Sequence, residues 1–278
     1  MGVSVLILTR NEEICLPDCL RSVGWSDEVV VFDSISTDRT VEIARESGAR
    51  VIQHAFKDYG SQREAALRLG DFRNEWVLVL DADERPDQEL ASEIREAIGS
   101  VSTEVAAFRM RRKDFFEGRW IPHATLYPSW FVRLVRHARA RYEPRAVHEY
   151  PTVDGEVRAL KGHLLHDSFA KGFEEWWGKH ERYAELEARE QHEALLRGGI
   201  DVAGLVSLRD PVRRRRALKA LSFFLPMRSR LRFLYMYVLR RGFLDGRPGY
   251  HYCRLLSRYE GLIVQNLRAV RSASRSPS

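Results

Sequence analysis

The chain has 278 residues, 44% hydrophobic and 30% charged, which supplies a buried core and excludes wholesale disorder. Its net charge of +6 is uneven: residues 1–200 carry 28 Lys and Arg against 35 Asp and Glu, and residues 201–278 carry 17 against 4. The longest apolar runs, Leu221–Met227 and Leu234–Leu239, fall well short of the ~18 residues of a membrane span, and the opening MGVSVLILTR has no cleavage-site pattern, so neither a transmembrane helix nor a signal peptide is expected and the chain is expected to stay in the cytosol.

The first 110 residues alternate two periodicities. Val3–Leu8 is a short β-branched run, as a buried parallel strand requires. A helix is predicted over Glu13–Val23, a strand over Val29–Phe32, a helix over Thr40–Ser47 stopped by Gly48, and a weak strand over Val51–Gln53. Gln62–Leu69 reads as a helix and Trp76–Leu80 as a fourth buried strand. Pro86 is expected to open a helix through Ile98, closed by Gly99, with a fifth strand at Val105–Met110. Residues 111–170 have little clean period and read as irregular loops with some antiparallel strand, such as Trp130–Arg136. Gly172–Leu196 reads as a long charged helix. Residues 200–270 read as helical patches broken at Pro211, Pro226 and Gly246–Gly249. The three cysteines, Cys15, Cys19 and Cys253, are too few and too scattered for a disulfide framework and read as reduced, partly buried thiols.

Strand–helix alternation of this kind predicts an α/β fold: a mostly parallel open sheet with helices on both faces. Ligands of such sheets sit beyond the carboxyl ends of the strands. Polar clusters fall there three times: Thr9–Glu12, Asp33–Asp38 and Asp81–Glu84. Asp81-Ala82-Asp83-Glu84 has the D-x-D spacing with which carboxylates share a hard cation and a diphosphate, so Mg²⁺ or Mn²⁺ fits; the competing reading is an acidic loop at the positive end of the next helix. The short hydroxyls and carboxylates of Asp33–Asp38 suit a ribose or base edge, and suit plain turn and N-cap chemistry equally. Gln62-Arg63 and His148-Glu149 are weak signals singly, and His163 and His166, three apart, are either metal ligands or structural.

Taken in order, the segments VSVLILTRNEE, DSISTDRT, GSQREAAL and VLVLDADER, followed by VHE, HDSF and RGFLDGRPGYHY, resemble the inverting glycosyltransferases of family 2, and most closely the bacterial branch that builds the lipopolysaccharide core. The resemblance covers about residues 3 to 260. It implies a GT-A type fold, with a catalytic domain over 1–200 (a nucleotide half at 1–110 and an acceptor and base half at 111–200) and a basic, aromatic, helical extension at 201–278. It implies a nucleotide-sugar donor, with UDP favoured and ADP or GDP the alternatives, and a saccharide or lipid-linked acceptor. Residue by residue, it places Thr9, Asn11 and Glu12 in the nucleotide pocket, and Asp33 on base or ribose with Ser34 and Ser36 nearby. Gln62 and Arg63 would support base or diphosphate, with Asp81 near ribose and sugar. Asp83 would hold the divalent metal, His166 would be a further metal or phosphate ligand, and Glu149 would be the general base. Trp120, His123, Tyr127 and Trp130 are candidates for an acceptor loop, with core packing the alternative. Ile35 stands where the family commonly has Gly, which predicts a different turn.

Residues 213–241 interleave Arg213–Arg216, Lys219, Arg228, Arg230, Arg232, Arg240 and Arg241 with Phe and Tyr side chains. That mixture fits a helix lying in an anionic membrane surface, which would make the protein peripheral on the inner face of the cytoplasmic membrane. The same aromatics can instead pack on the catalytic domain. A nucleic-acid-binding protein is the competing class, as is a nucleotidyltransferase of the same fold. No nucleic acid is expected, because the body is acidic and no recognised motif occurs.

Overall fold

In the computed structural model the opening apolar run forms β1 (Val3–Thr9), buried along nearly its whole length, and the alternation continues much as its periodicity predicts. The structure describes residues 2–142, 151–167, 169–198 and 227–274, with isolated positions 201, 203, 206, 214, 217 and 221. Helix α1 (Leu16–Ser22) leads to β2 (Glu28–Asp33), α2 (Thr40–Glu46), β3 (Arg50–Gln53), α3 (Tyr59–Leu69) and β4 (Trp76–Asp81). Then come β5 (Glu84–Pro86), α4 (Gln88–Ser100), β6 (Val105–Phe116), β7 (Arg119–Trp120), β8 (Ser129–Arg136), β9 (Ala140–Tyr142), β10 (Pro151–Val153) and β11 (Glu156–His166). The main sheet runs β3-β2-β1-β4-β8-β6-β11-β5, with β7 paired to β6. Strands β3, β2, β1 and β4 are mutually parallel; β8 lies antiparallel between β4 and β6, β11 is parallel to β6, and β5 is antiparallel to β11.

Helices cover both faces. On one, Leu16 and Cys19 of α1 and Leu90, Ile94 and Ile98 of α4 pack on Val5, Leu78, Leu80 and Met110. On the other, Ala66 and Leu67 of α3 pack on Leu6, Val30, Val77 and Val79. The helix starts are set by capping: the carboxylates of Asp58 and Asp87 each accept from the backbone N–H three residues on, at 2.8 Å, satisfying donors the helix leaves open. Gly162 lets β11 approach α4, since a Cβ there would lie 2.5 Å from the Leu90 backbone.

Three expectations are corrected. Pro86 ends the edge strand β5, its missing N–H costing least there, and Gly99 lies inside α4 rather than after it. Residues 111–170 hold long strands, because β6 runs on to Phe116 and β11 spans eleven residues. Gly246–Gly249 is not a break but the first turn of α7 (Gly246–Ala273). Pro211 and Pro226 lie outside the described residues.

The chain divides into two compact units, Met1–Lys171 and Gly172–Ser278, with the long charged helix at the start of the second. That helix, α5 (Phe173–Gly198), packs Ala184 and Ala188 on Ile263 and Leu267 of α7, which ties it to the second unit. The second unit also holds α6 (Arg228–Leu234), a π-helical turn at Tyr235–Leu239 and a 3-10 turn at Gly242–Asp245. Among the described residues no helix is long and apolar enough to cross a membrane. All three cysteines are buried free thiols; burial above all raises Cys15 to about 12 and Cys253 to about 11, which favours the thiol over the thiolate.

Candidate active site

Parallel pairing brings the three polar clusters together. Thr9 lies opposite Asp33, and Leu8 opposite Asp81, so the ends of β2, β1 and β4 emerge side by side. Thr9 Oγ1 donates to Asp33 Oδ1 at 2.9 Å. The Asp33 carboxylate, wholly buried, also accepts from Ser36 N at 2.8 Å, from the Ser36 hydroxyl and from Gln53 Nε2 at 3.3 Å. Ser36 Oγ accepts from Asn11 N at 2.8 Å, and Asn11 Oδ1 accepts from Thr37 N at 2.8 Å. Gln62 Nε2 donates to Ser34 Oγ at 3.0 Å, and Gln62 Oε1 lies 3.1 Å from His54 Nδ1. Glu12 donates its N–H to Thr40 Oγ1 at 2.7 Å, and its carboxylate pairs with Lys171 Nζ at 2.6 Å. In this geometry Asp33, Ser34 and Gln62 form a buried hydrogen-bonded group, whereas Asn11 stands exposed.

Ile35 has φ 56°, the left-handed region that Gly favours and that a β-branched residue avoids. Ile35 therefore adopts a backbone conformation that Gly enters freely. The bonds from Asp33 to Ser36 hold it, at an order-of-magnitude cost of 1–3 kcal/mol.

A second layer surrounds Asp81. One carboxylate oxygen accepts from Arg63 Nη2 at 2.6 Å and the other from Arg133 Nη2 at 2.7 Å. Arg133 Nη2 also reaches Glu84 Oε1 at 2.8 Å; Glu84 is wholly buried, and its other oxygen accepts from Asp81 N at 3.2 Å. Arg112 Nη1 lies 3.5 Å from Glu84 and its Nε 2.9 Å from Asp114. Burial opposes the charge of both guanidiniums, but Glu84 and Asp81 hold Arg133, and Asp114 and Glu84 hold Arg112, above the ordinary arginine value.

Strand register also supplies His166. It lies opposite Asp114 on β6 and opposite Glu84 on β5. His166 Nδ1 and Asp114 Oδ1 are 2.6 Å apart, and His166 Nε2 and Asp83 Oδ2 are 3.4 Å apart. Burial and Arg112 oppose the imidazolium, yet Asp83 and Asp114 outweigh them and lift His166 to about 9. Burial likewise opposes the Asp114 carboxylate, which His166 and Arg112 nevertheless hold below its usual range. Asp83 and His166, 83 residues apart in sequence, are thus brought together. With the Nε2 proton displaced, their donor set suits a divalent cation such as Mn²⁺ that accepts both oxygen and nitrogen: one carboxylate oxygen, one imidazole nitrogen, and a second carboxylate on the far ring nitrogen, the arrangement that orients histidine ligands.

His163 does not join them. Its Nε2 lies 2.9 Å from Tyr127 Oη, and its Nδ1 lies 3.5 Å from Asp87 Oδ2. Asp87, Glu89 and His163 place ligand atoms within 4.8 Å of one another. However, Asp87 is occupied in capping α4, the helix terminus is itself positive, and burial together with Lys113 and Arg111 depresses His163, which marks cations beside the cluster. Of the acceptor candidates, Trp120 packs edge-on against Tyr127 at 5.3 Å, and Trp130 is partly exposed between Arg109 and Arg111. Glu149 and His148 lie outside the described residues. Sequence reasoning missed Arg133, Arg112, Asp114 and Lys171. Its available signal was charge at two-residue spacing inside strand-forming segments, Arg112 with Asp114 and Arg133 within SWFVRLVR.

Residues 4–153 match the family model described as Glycosyl transferase family 2. The chain is 30% identical over 173 residues to the lipopolysaccharide core biosynthesis glycosyltransferase LpsC of Rhizobium meliloti, covering 60% of this chain and 63% of LpsC. It is 31% identical over 161 residues to the undecaprenyl-phosphate 4-deoxy-4-formamido-L-arabinose transferase of Pseudomonas paraeruginosa, covering 53% of this chain and 44% of that one. The match therefore spans less than two thirds of the length of either relative. Among solved structures, S. aureus TarS 1-349 in complex with UDP-GlcNAc superimposes with a TM-score of 0.45 at 19% identity, covering 99% of this chain and 92% of that one.

Proposed function

The chain belongs to glycosyl transferase family 2, and from that premise we propose that it transfers a sugar, with inversion, from a nucleoside-diphosphate sugar to a saccharide acceptor on a lipopolysaccharide core or another lipid-linked glycan. UDP is the first nucleotide to test. The names of the two relatives, one a lipopolysaccharide core enzyme and one an undecaprenyl-phosphate transferase, support the acceptor class. The observation that carries the reading is the 3.4 Å approach of Asp83 to His166 beside the doubly clamped Asp81, at the carboxyl ends of parallel strands.

Inverting transfer displaces the nucleoside diphosphate in line at the anomeric carbon, with negative charge growing on the leaving oxygen and positive charge on the sugar. Asp81, held by Arg63 and Arg133, is oriented to accept hydrogen bonds from ribose or sugar hydroxyls. Asp83 and His166 would hold Mg²⁺ or Mn²⁺, which supplies Lewis-acid neutralisation of the leaving diphosphate when bound. The acceptor hydroxyl must lose its proton as it attacks from the opposite side, which is the role given to Glu149. Asn11, Glu12 and the turn built on Asp33, Ser34 and Ser36 line the nucleoside side, with Gln62 bracing that turn from α3. The domain reading becomes a catalytic unit followed by a basic helical unit, with the anionic inner membrane face as the place where acceptor is met.

Calorimetric titration of UDP, ADP and GDP, with and without Mn²⁺ or Mg²⁺, tests the reading. Metal-dependent binding of one nucleotide, weakened in Asp83→Ala and retained in Glu149→Gln with transfer lost, is the expected result. No binding of any nucleotide under either condition overturns it, and normal turnover by Glu149→Gln overturns the base assignment.

A further inference from the structure

The second unit contains a helix with an apolar stripe turned to solvent. From Arg228 to Leu239, α6 and the π-helical turn form twelve consecutive helical residues. Their exposed positions include Leu231, Leu234, Tyr235, Val238 and Leu239, spaced three, one, three and one apart, which is the apolar stripe a soluble helix turns toward its core. Here that stripe faces outward, with exposures from 41% at Tyr235 to 74% at Leu239. The buried side holds Met236 together with two arginines: Arg228 has its Nη2 2.8 Å from Glu260 on α7, and Arg232 lies 3.9 Å from the same carboxylate.

The 3-10 turn extends the surface with Phe243, 47% exposed, and Leu244, 52% exposed. The platform beneath is rigid. Tyr237 packs on Phe233 at 5.1 Å, on Tyr250 at 5.6 Å and on Phe243 at 6.2 Å. A Cβ at Gly249 would lie 2.3 Å from Gly242 O, so the turn sits hard against the start of α7. Contiguous apolar exposure on a rigid base marks a contact surface rather than an unfolded edge.

Charge selects the occupant. Between Met227 and Tyr250 there are six arginines and one acid, Asp245, which is buried. Arg230, Arg241 and Arg247 are exposed around the apolar side chains. A two-fold contact of this face with its copy would bring the same arginines against one another with Asp245 buried and unable to meet them. An anionic bilayer offers acyl chains to the leucines and phosphate to the arginines.

We propose that this face, Leu231–Leu244, inserts shallowly into the interface of an anionic lipid bilayer, so that apolar burial and not charge alone holds the protein there. The proposal extends the lipid-linked acceptor reading and shifts the contact from the arginine-rich residues 213–216, which are mostly outside the described residues, to the apolar ridge.

Vesicle flotation with phosphatidylcholine alone and with added phosphatidylglycerol, each at low and high salt, tests it. Co-flotation with the anionic vesicles, part of it surviving high salt, is expected. Leu239→Ser combined with Phe243→Ser should lower the salt-resistant fraction roughly tenfold or more, with circular dichroism checking that the fold is kept, since Phe243 also packs on Tyr237. Arg240→Gln with Arg241→Gln should lose only the low-salt enhancement. Absence of flotation overturns the proposal, as does binding that is abolished by salt and indifferent to the Leu239 and Phe243 changes. So does a dimer, seen by light scattering, that those changes dissociate without any vesicle binding. Sugar transfer to a water-soluble acceptor is measured alongside: intact transfer without flotation defeats the docking surface alone, and flotation without transfer defeats the catalytic reading alone.

Discussion

Replacing Arg133 by Met isolates the support beneath the candidate site. Arg133 is buried, with its Nη2 2.7 Å from Asp81 and 2.8 Å from Glu84, and Glu84 is fully enclosed. An exposed ion pair of this kind would contribute at most about 1 kcal/mol. Removing one partner of a buried pair instead leaves a stranded charge, at a cost of about 3–5 kcal/mol. Arg112, 3.5 Å from Glu84, offsets part of that and puts the expected loss toward the lower end. At roughly 2–4 °C per kcal/mol for a unit of this size, the melting temperature should fall by about 6–15 °C. Adding Glu84→Gln should recover much of the loss, because the stranded charge is then gone, so the double variant should be more stable than the sum of the single changes by more than about 1 kcal/mol. Thermal unfolding of wild type, both single variants and the double variant gives the cycle. A loss under about 1 kcal/mol for Arg133→Met, or strict additivity, would refute the buried-clamp reasoning and make Arg133 a solvated surface cation.

Other outcomes follow from single positions. Ile35→Gly should stabilise the first unit by about 1 kcal/mol in urea unfolding, since it relieves a left-handed β-branched residue whose side chain is exposed; a loss of stability would mean that the isoleucine packs. Asp114→Asn should weaken Mn²⁺-dependent UDP binding by roughly 10–100-fold in calorimetry, while metal-free nucleotide binding changes little, because it removes the carboxylate behind His166. His180, stacked on Trp176 at 3.6 Å, is held at about 4, chiefly by burial, against its ordinary 6.5. Between those values the unfolded chain takes up a proton that the folded chain refuses. The second unit should therefore lose stability as pH falls through that window, by up to about 1.4 kcal/mol per pH unit, and His180→Phe should flatten that acid limb in thermal melts.

The parallel half of the sheet was readable because β1, β2 and β4 are short apolar runs buried on both faces, and because their ends carry polar clusters. The mixed half was not. The RRKDFF stretch of β6 lacks an apolar period because Arg112 and Asp114, on the same face, point at Glu84 and His166 rather than at water. In β11 the pairing with β6 shifts register between Ala159 and His163, so no strict alternation survives to be read. The start of α7 looked like a break because Gly246 and Gly249 lower helix propensity, yet the close approach of Gly249 to Gly242 demands a residue without Cβ. Arg133 could be seen as an anomaly within a strand, but its partner Glu84 lies 49 residues earlier, and only register connects them.

The same motif residues divide by exposure into two kinds of work. Asp33 is wholly buried and already accepts four hydrogen bonds, from Thr9, Gln53 and twice from Ser36. For its carboxylate to touch a ribose or base, one of those bonds must be exchanged. The 3.3 Å bond from Gln53 is the longest, and exchanging it for a ligand hydroxyl keeps the carboxylate satisfied, so the swap costs little. Asp81 needs no such exchange, because its side chain is 35% exposed while both oxygens are already fixed by arginines. A carboxylate that is oriented and still open meets a ligand with little further loss of entropy. The clusters at the strand ends thus carry a buried tier of Asp33, Gln62 and Glu84, which sets positions, and an open tier of Asn11, Asp81 and Asp83, to which contact with the donor is assigned.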